Sequence, residues 1–174
     1  MVLIIMIIPH EKLTINTSLH TTEALQKLQA VIEPKRTIRW GYSKHKPYEG
    51  VIEGLHFTVS RILGYRNSFQ PIIQGEIKPE LNGCSIHISM SLHSWVKVFM
   101  VVWLGFVFLA CLLSLSLFFG FATQYGGQTP NPPALILIPF GMFVLGYGLM
   151  VGGFKYEVAK SKVFFSDLFA ESKQ

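Results

Sequence analysis

Between Val98 and Phe154 the chain carries no Asp, Glu, Lys, Arg or His. Only 14% of its 174 residues are charged, against about a quarter in ordinary soluble domains, and the deficit is concentrated in this one stretch. Residues 99–121 (FMVVWLGFVFLACLLSLSLFFGF) would rise about 35 Å as a helix, enough to cross a hydrocarbon core of about 30 Å. Residues 134–154 (ALILIPFGMFVLGYGLMVGGF) supply a second such segment, whose Pro139 and glycines are tolerated better in spanning helices than in soluble ones. Ser114 and Ser116 can return their hydroxyls to carbonyls of the preceding turn.

The link 122–133, ATQYGGQTPNPP, is short and uncharged, so the two spans are predicted to form an antiparallel hairpin. Lys97 precedes the first, Lys155, Lys160 and Lys162 follow the second, and the link carries no Lys or Arg. The positive-inside rule then places both termini in the cytoplasm. Gly148 and Gly152 form a GxxxG pair, which lets helix backbones approach closely, within the hairpin or between two copies. Neither span holds an Asp, Glu, Lys, Arg or His, which argues against a channel, pump or proton-coupled carrier. Residues 1–8, MVLIIMII, are too short to cross a bilayer and lack the basic start and cleavage site of a signal peptide. They read as a buried strand, a hydrophobic lead-in or an upstream start extension.

Ahead of the spans the dominant pattern is alternation. Cys84, Ile86, Ile88, Met90 and Leu92 point one way and Ser85, His87, Ser89 and Ser91 the other, as in a strand with one buried face. Leu55, Phe57 and Val59 repeat this within a predicted strand 55–63, which EGVIEG (49–54) either opens or precedes as a short strand of its own. Leu13, Ile15, Thr17 and Leu19 repeat it more weakly. A strand over 70–77 with Pro71 at its start, and a turn at KPELNG (78–83), complete a hairpin with 84–92. One helix interrupts them: Thr21 or Thr22 as N-cap, Leu25, Leu28, Val31 and Ile32 at helical spacing, and Pro34 as the stop. The expected fold is α+β, a small, mostly antiparallel sheet with one covering helix. Its parts are a cytoplasmic domain over 1–97, a transmembrane hairpin over 98–154 and a C-terminal amphipathic helix over 155–174, resting on lipid or folded back on the sheet.

Two stretches carry candidate binding chemistry. YRNSFQP (65–71) admits a site reading, in which Arg66, with Tyr65 and Asn67, grips a phosphate or carboxylate in bidentate fashion. It also admits a joint reading, in which Asn67 and Ser68 cap a turn, Tyr65 and Phe69 pack beneath it, and Arg66 binds backbone carbonyls or a neighbouring Glu. KRTIRWGYSKHK (35–46) places Lys35, Arg36, Arg39, Lys44 and Lys46 around Trp40 and Tyr42, a composition suited to anionic lipid heads or simply to a solvated loop. No nucleic-acid fold signature accompanies it. The two cysteines, Cys84 and Cys111, read as buried thiols, and neither they nor the six histidines fall at metal-ligand spacing. No cofactor, metal site or catalytic residue is expected. Residues 1–97 contain no aspartate, and an enzyme would have to work with Arg66 and a glutamate such as Glu49 or Glu53.

Three segments together, residues 57–77, 84–105 and 139–157, resemble a family of small two-span bacterial membrane proteins, largely cyanobacterial. Arg61 ahead of a YRNSF-x-P core (Tyr65, Arg66, Asn67, Ser68, Phe69, Pro71) carries the resemblance, which extends over about residues 50–170. It implies two spans and a bacterial inner-membrane setting, and it brings no activity with it. The expectation from the residues is an integral membrane protein without enzymatic activity. It would meet membrane lipids and bind a protein partner, an anionic lipid or a second copy of itself at the cytoplasmic surface. The alternatives are a membrane-surface enzyme acting on a lipid or phosphate-bearing substrate, and a stabilising subunit of a membrane complex.

Overall fold

The alternating stretches become strands in a computed structural model, which describes residues 8–34, 46–124 and 137–170. The apolar residues 1–7, Lys35, Arg36, Arg39, Trp40 and Lys44 of the basic stretch, and the link 125–136 lie outside the described residues. In chain order the elements are β1 (His10–Thr17), α1 (Thr21–Val31), β2 (Ile32–Glu33), β3 (Tyr48–Glu53), β4 (His56–Arg61), β5 (Pro71–Glu80), β6 (Gly83–Leu92), α2 (Ser94–Gln124) and α3 (Ile138–Phe169). The six strands form one sheet in the order β1-β6-β5-β4-β3-β2. Every pairing is antiparallel except the short parallel one of β2 with β3.

Two compact units result. One takes in the chain up to His93 together with everything from Gly153 onward, and the other is Ser94–Gly152. The predicted division at 97 and 155 is thereby corrected. The C-terminal segment is no separate helix, because nothing between Phe154 and Phe169 breaks a helix and α3 runs through without interruption. Its last turns belong to the sheet unit, in line with the fold-back alternative.

In the sheet unit, the apolar face is set by the register. Phe57 and Val59 of β4, Ile73 and Ile77 of β5, and Ile86, Ile88 and Met90 of β6 are all buried. Ala24 and Leu28 of α1 are buried as well, with α1 lying against β5 and β6. The rest of the cover comes from α3. Phe165 sits 5.1 Å from the Tyr48 ring and 6.2 Å from that of Phe57, and it stacks on Phe169 at 6.5 Å. Gly75 has a specific reason to lack a side chain: it pairs with Phe57, and a Cβ there would lie 2.1 Å from that ring. The opposite face is polar, with His10 bonded to Ser89 at 3.0 Å and Thr14 to His87 at 3.2 Å.

Local signals differ in detail from expectation. The N-cap of α1 is His20, whose backbone N–H donates to the Glu23 carboxylate at 3.1 Å, so Thr21 is already helical. β3 is a strand of its own, and Leu55 sits exposed in a two-residue turn behind Gly54 (φ 61°), the position where a type II′ hairpin favours glycine. β5 and β6 extend through the expected turn and leave only Leu81 and Asn82 between them.

The second unit holds α2 and the first part of α3. Both helices are long and apolar enough to cross a membrane. Only 22% of the most apolar window of α2 and 11% of that of α3 is buried by the rest of the chain. A core helix of a soluble protein would be mostly covered, and these are not. Within the single chain, Gly148 and Gly152 meet nothing within 4 Å, which bears on packing inside the hairpin and not on packing between copies. Gly146 is the glycine that packs: a Cβ there would lie 2.2 Å from the Trp103 ring. Two faces of an uncharged helix look alike in sequence, and the bulk of Trp103 decides which is used.

Candidate functional site

The loop between β4 and β5, residues 62–70, contains most of YRNSFQP. Asn67 accepts the Phe69 N–H at 3.0 Å through its side-chain oxygen, which closes an Asx turn. Its Nδ2 donates to the Gly153 carbonyl of α3 at 3.2 Å. Gln70 Nε2 donates to the Arg61 carbonyl, tying the loop back to β4. Gly153 lets the loop come this close, since a Cβ there would already lie 3.3 Å from both Asn67 Oδ1 and Phe69.

One turn along α3 lies Glu157, whose side chain is fully buried. Arg61 Nη1 donates to its Oε2 at 3.0 Å and the Tyr65 hydroxyl donates to its Oε1. A buried carboxylate is tolerated only when paired and hydrogen-bonded, and both oxygens of Glu157 are engaged. A further turn on, Ser161 and Tyr48 bury two hydroxyls with no partner in hydrogen-bonding geometry among the described residues. Burial pushes the Tyr48 phenol up, with the neighbouring Ser161 hydroxyl opposing.

The hydrogen bond to Glu157 pushes the Tyr65 phenol up to about 12. The contact requires the phenol to keep its proton. It is therefore fully present below the ordinary tyrosine value near 10 and is lost as pH rises through about 12. A phenolate absorbance titration of the wild type is expected to show one component near that upper value that is missing in Tyr65→Phe. Its appearance at the ordinary value would show that the contact is not made in solution.

Of the residues that sequence reasoning grouped into a site, Tyr65 and Asn67 are thus committed to holding the loop on α3. Lys46 is likewise spoken for: its ammonium donates to the carbonyls of Gln29 at 2.7 Å and Ile32 at 3.0 Å, at the C-terminal end of α1. Arg66 differs. It is exposed and makes no hydrogen bond or ion pair with the described residues. It lines a cleft of about 690 Å³ over the polar side of β3, β4 and β5, which it shares with Glu49, Ser60, Ser68 and His93. A smaller cleft of about 360 Å³, over Gln74, His56 and His87, lies on the same side of the sheet. No group of three or more His, Cys, Asp or Glu among the described residues is placed to hold a metal. Sequence reasoning missed Glu157, which lies far along the chain from Tyr65 and reads there as an ordinary charge beyond the second span.

The chain matches no protein-family model and no curated protein. Among solved structures it is similar to the solution NMR structure of a polyketide-cyclase-like protein from Corynebacterium glutamicum. Identity is 10%, with 95% of this chain and 96% of that chain covered, at a TM-score of 0.28. A likeness at that level carries no argument about fold or function.

Proposed function

We propose that this is an integral membrane protein of the bacterial inner membrane, without enzymatic activity of its own. On this reading its sheet unit binds an anionic group, carried by a lipid or a protein partner, at the cytoplasmic surface. The membrane reading draws support from the two uncovered apolar helices. The cytoplasmic placement draws support from Lys155, Lys160 and Lys162 beyond the second span and from the uncharged link.

The observation that carries the binding reading is Arg66. A guanidinium with no protein partner among the described residues sits on the rim of a cleft, on a loop whose neighbours Tyr65 and Asn67 are both fastened to α3. Holding the loop in this way lowers the entropy lost when Arg66 closes on a ligand. Native mass spectrometry of the protein extracted with its own lipids tests it. A retained lipid or protein partner is expected, with occupancy falling roughly tenfold in Arg66→Ala, as loss of a charge-assisted hydrogen bond implies. Equal retention by the two proteins would sink the binding role of Arg66.

A further inference from the structure

α3 passes from the second unit into the sheet unit without a break, and from Gly153 onward its two sides have different surroundings. Glu157, Val158, Ser161 and Phe165 are buried. The other side of the same turns carries Lys155, Tyr156 and Ala159, all exposed, with Lys160 half-buried beside them. Tyr156 keeps 56% of its surface, and the Lys160 ammonium lies 4.0 Å from the centre of its ring. Lys155 is the first charge after the uncharged stretch that ends at Phe154.

On the membrane reading above, the hydrocarbon ends near Phe154, and the headgroup layer beyond it is about 5–8 Å thick. The backbones of Lys155 and Tyr156 rise about 2–3 Å past that level, and that of Lys160 about 9 Å. Helical side chains lean toward the helix N-terminus, which for α3 is toward the bilayer. The contact with Tyr156 displays this lean, since it draws the Lys160 ammonium back by one turn. Cations on aliphatic stems and a ring with a polar tip are the side chains that such a layer accommodates.

The acidic groups near this side are engaged or distant. Glu11 lies in the field of Lys155, but its bond is to Lys162 at 2.9 Å. Of the two acidic residues of α3, Glu157 is buried on Arg61, and Asp167 sits about 10 Å farther along the helix than Lys160.

We infer that the exposed side of α3 over residues 155–160 seats an anionic phospholipid of the inner leaflet, with Lys155 and Lys160 on its headgroup and Tyr156 between them. The inference rests on the membrane part of the proposed function. It does not involve Arg66, which lies on the β4–β5 loop.

A local probe tests it. The full-length protein carries a fluorophore on Ala159→Cys, an exposed position between the two lysines, while the native Cys84 and Cys111 are buried. Quenching by brominated phosphatidylglycerol and brominated phosphatidylcholine is compared in liposomes. Phosphatidylglycerol is expected to be preferred, and Lys155→Gln with Lys160→Gln should lower that preference roughly thirtyfold, the equivalent of about 1 kcal/mol for each lysine at a lipid surface. Lys155→Arg with Lys160→Arg keeps both charges and should keep the preference, which a role confined to packing would not predict. Equal quenching by the two lipids overturns the inference, and so does a preference that survives the glutamine pair. If Arg66→Ala removes the preference while both lysines are present, the anion is held at the cleft: this inference falls and the reading of Arg66 stands. Failure of the protein to float with the liposomes would sink the membrane reading, and this inference with it.

Discussion

A fragment ending at residue 97 is expected not to fold. Sequence alone would place the soluble domain there, but Phe154, Phe165 and Phe169 of α3 are buried with it, and Phe165 and Phe169 cover its aromatic core. Removing one buried Phe side chain costs about 3–5 kcal/mol, so losing all three, about 9–15 kcal/mol, is as large as the roughly 5–15 kcal/mol that holds a typical domain together. Expressed alone, residues 1–97 should give an aggregated or unfolded product. Residues 1–93 joined through a flexible linker to residues 153–174 should recover dispersed amide resonances. Well-dispersed resonances from the shorter fragment would mean that α3 is dispensable to the sheet.

The second large effect is expected at Arg61. Arg61→Ala leaves the fully buried Glu157 carboxylate without its cation, and breaking a buried pair from one side costs about 3–5 kcal/mol. Hydrogen exchange in β4 and β5 should quicken by roughly two to four orders of magnitude, if these strands open with the unit. Replacing both partners, as Arg61→Met with Glu157→Leu, should restore most of the protection, because no buried charge is then stranded. If the single variant exchanges like the wild type, Glu157 is not held by Arg61 in solution. If the double variant is as damaged as the single one, packing rather than charge is at stake.

These two results mark the boundary of what the sequence discloses. The alternation at 84–92 appears as β6 with its predicted buried face, and the apolar run after it as α2, because both signals are periodic and local. α1, the helix between β1 and β2, is legible for the same reason. β2 is not, since two residues carry no period and are strand only through their pairing with β3. The joint is half legible. Asx-turn chemistry can be read from Asn67, but the choice between joint and site depends on Glu157 and Gly153, which only the tertiary fold brings to the loop. The structure divides the motif residue by residue: Tyr65 and Asn67 are fasteners, and Arg66 makes no bond with the described residues. The basic segment 35–45, apart from Lys46 beyond its end, stays where sequence alone left it.

The sheet order has a consequence for how the protein is made. β1, translated before the other described strands, pairs with β6, the last of them in chain order, and the covering turns of α3 are translated after both. On the membrane reading proposed above, both spans enter the bilayer while the domain they interrupt is still missing its lid. Until Phe165 and Phe169 emerge, a nascent sheet would expose its apolar face to the cytosol, the state in which chains aggregate or recruit chaperones. On that reading, biogenesis couples membrane insertion to domain completion, and a stall in translation between Gly152 and Phe169 would leave an inserted hairpin carrying an unfinished domain.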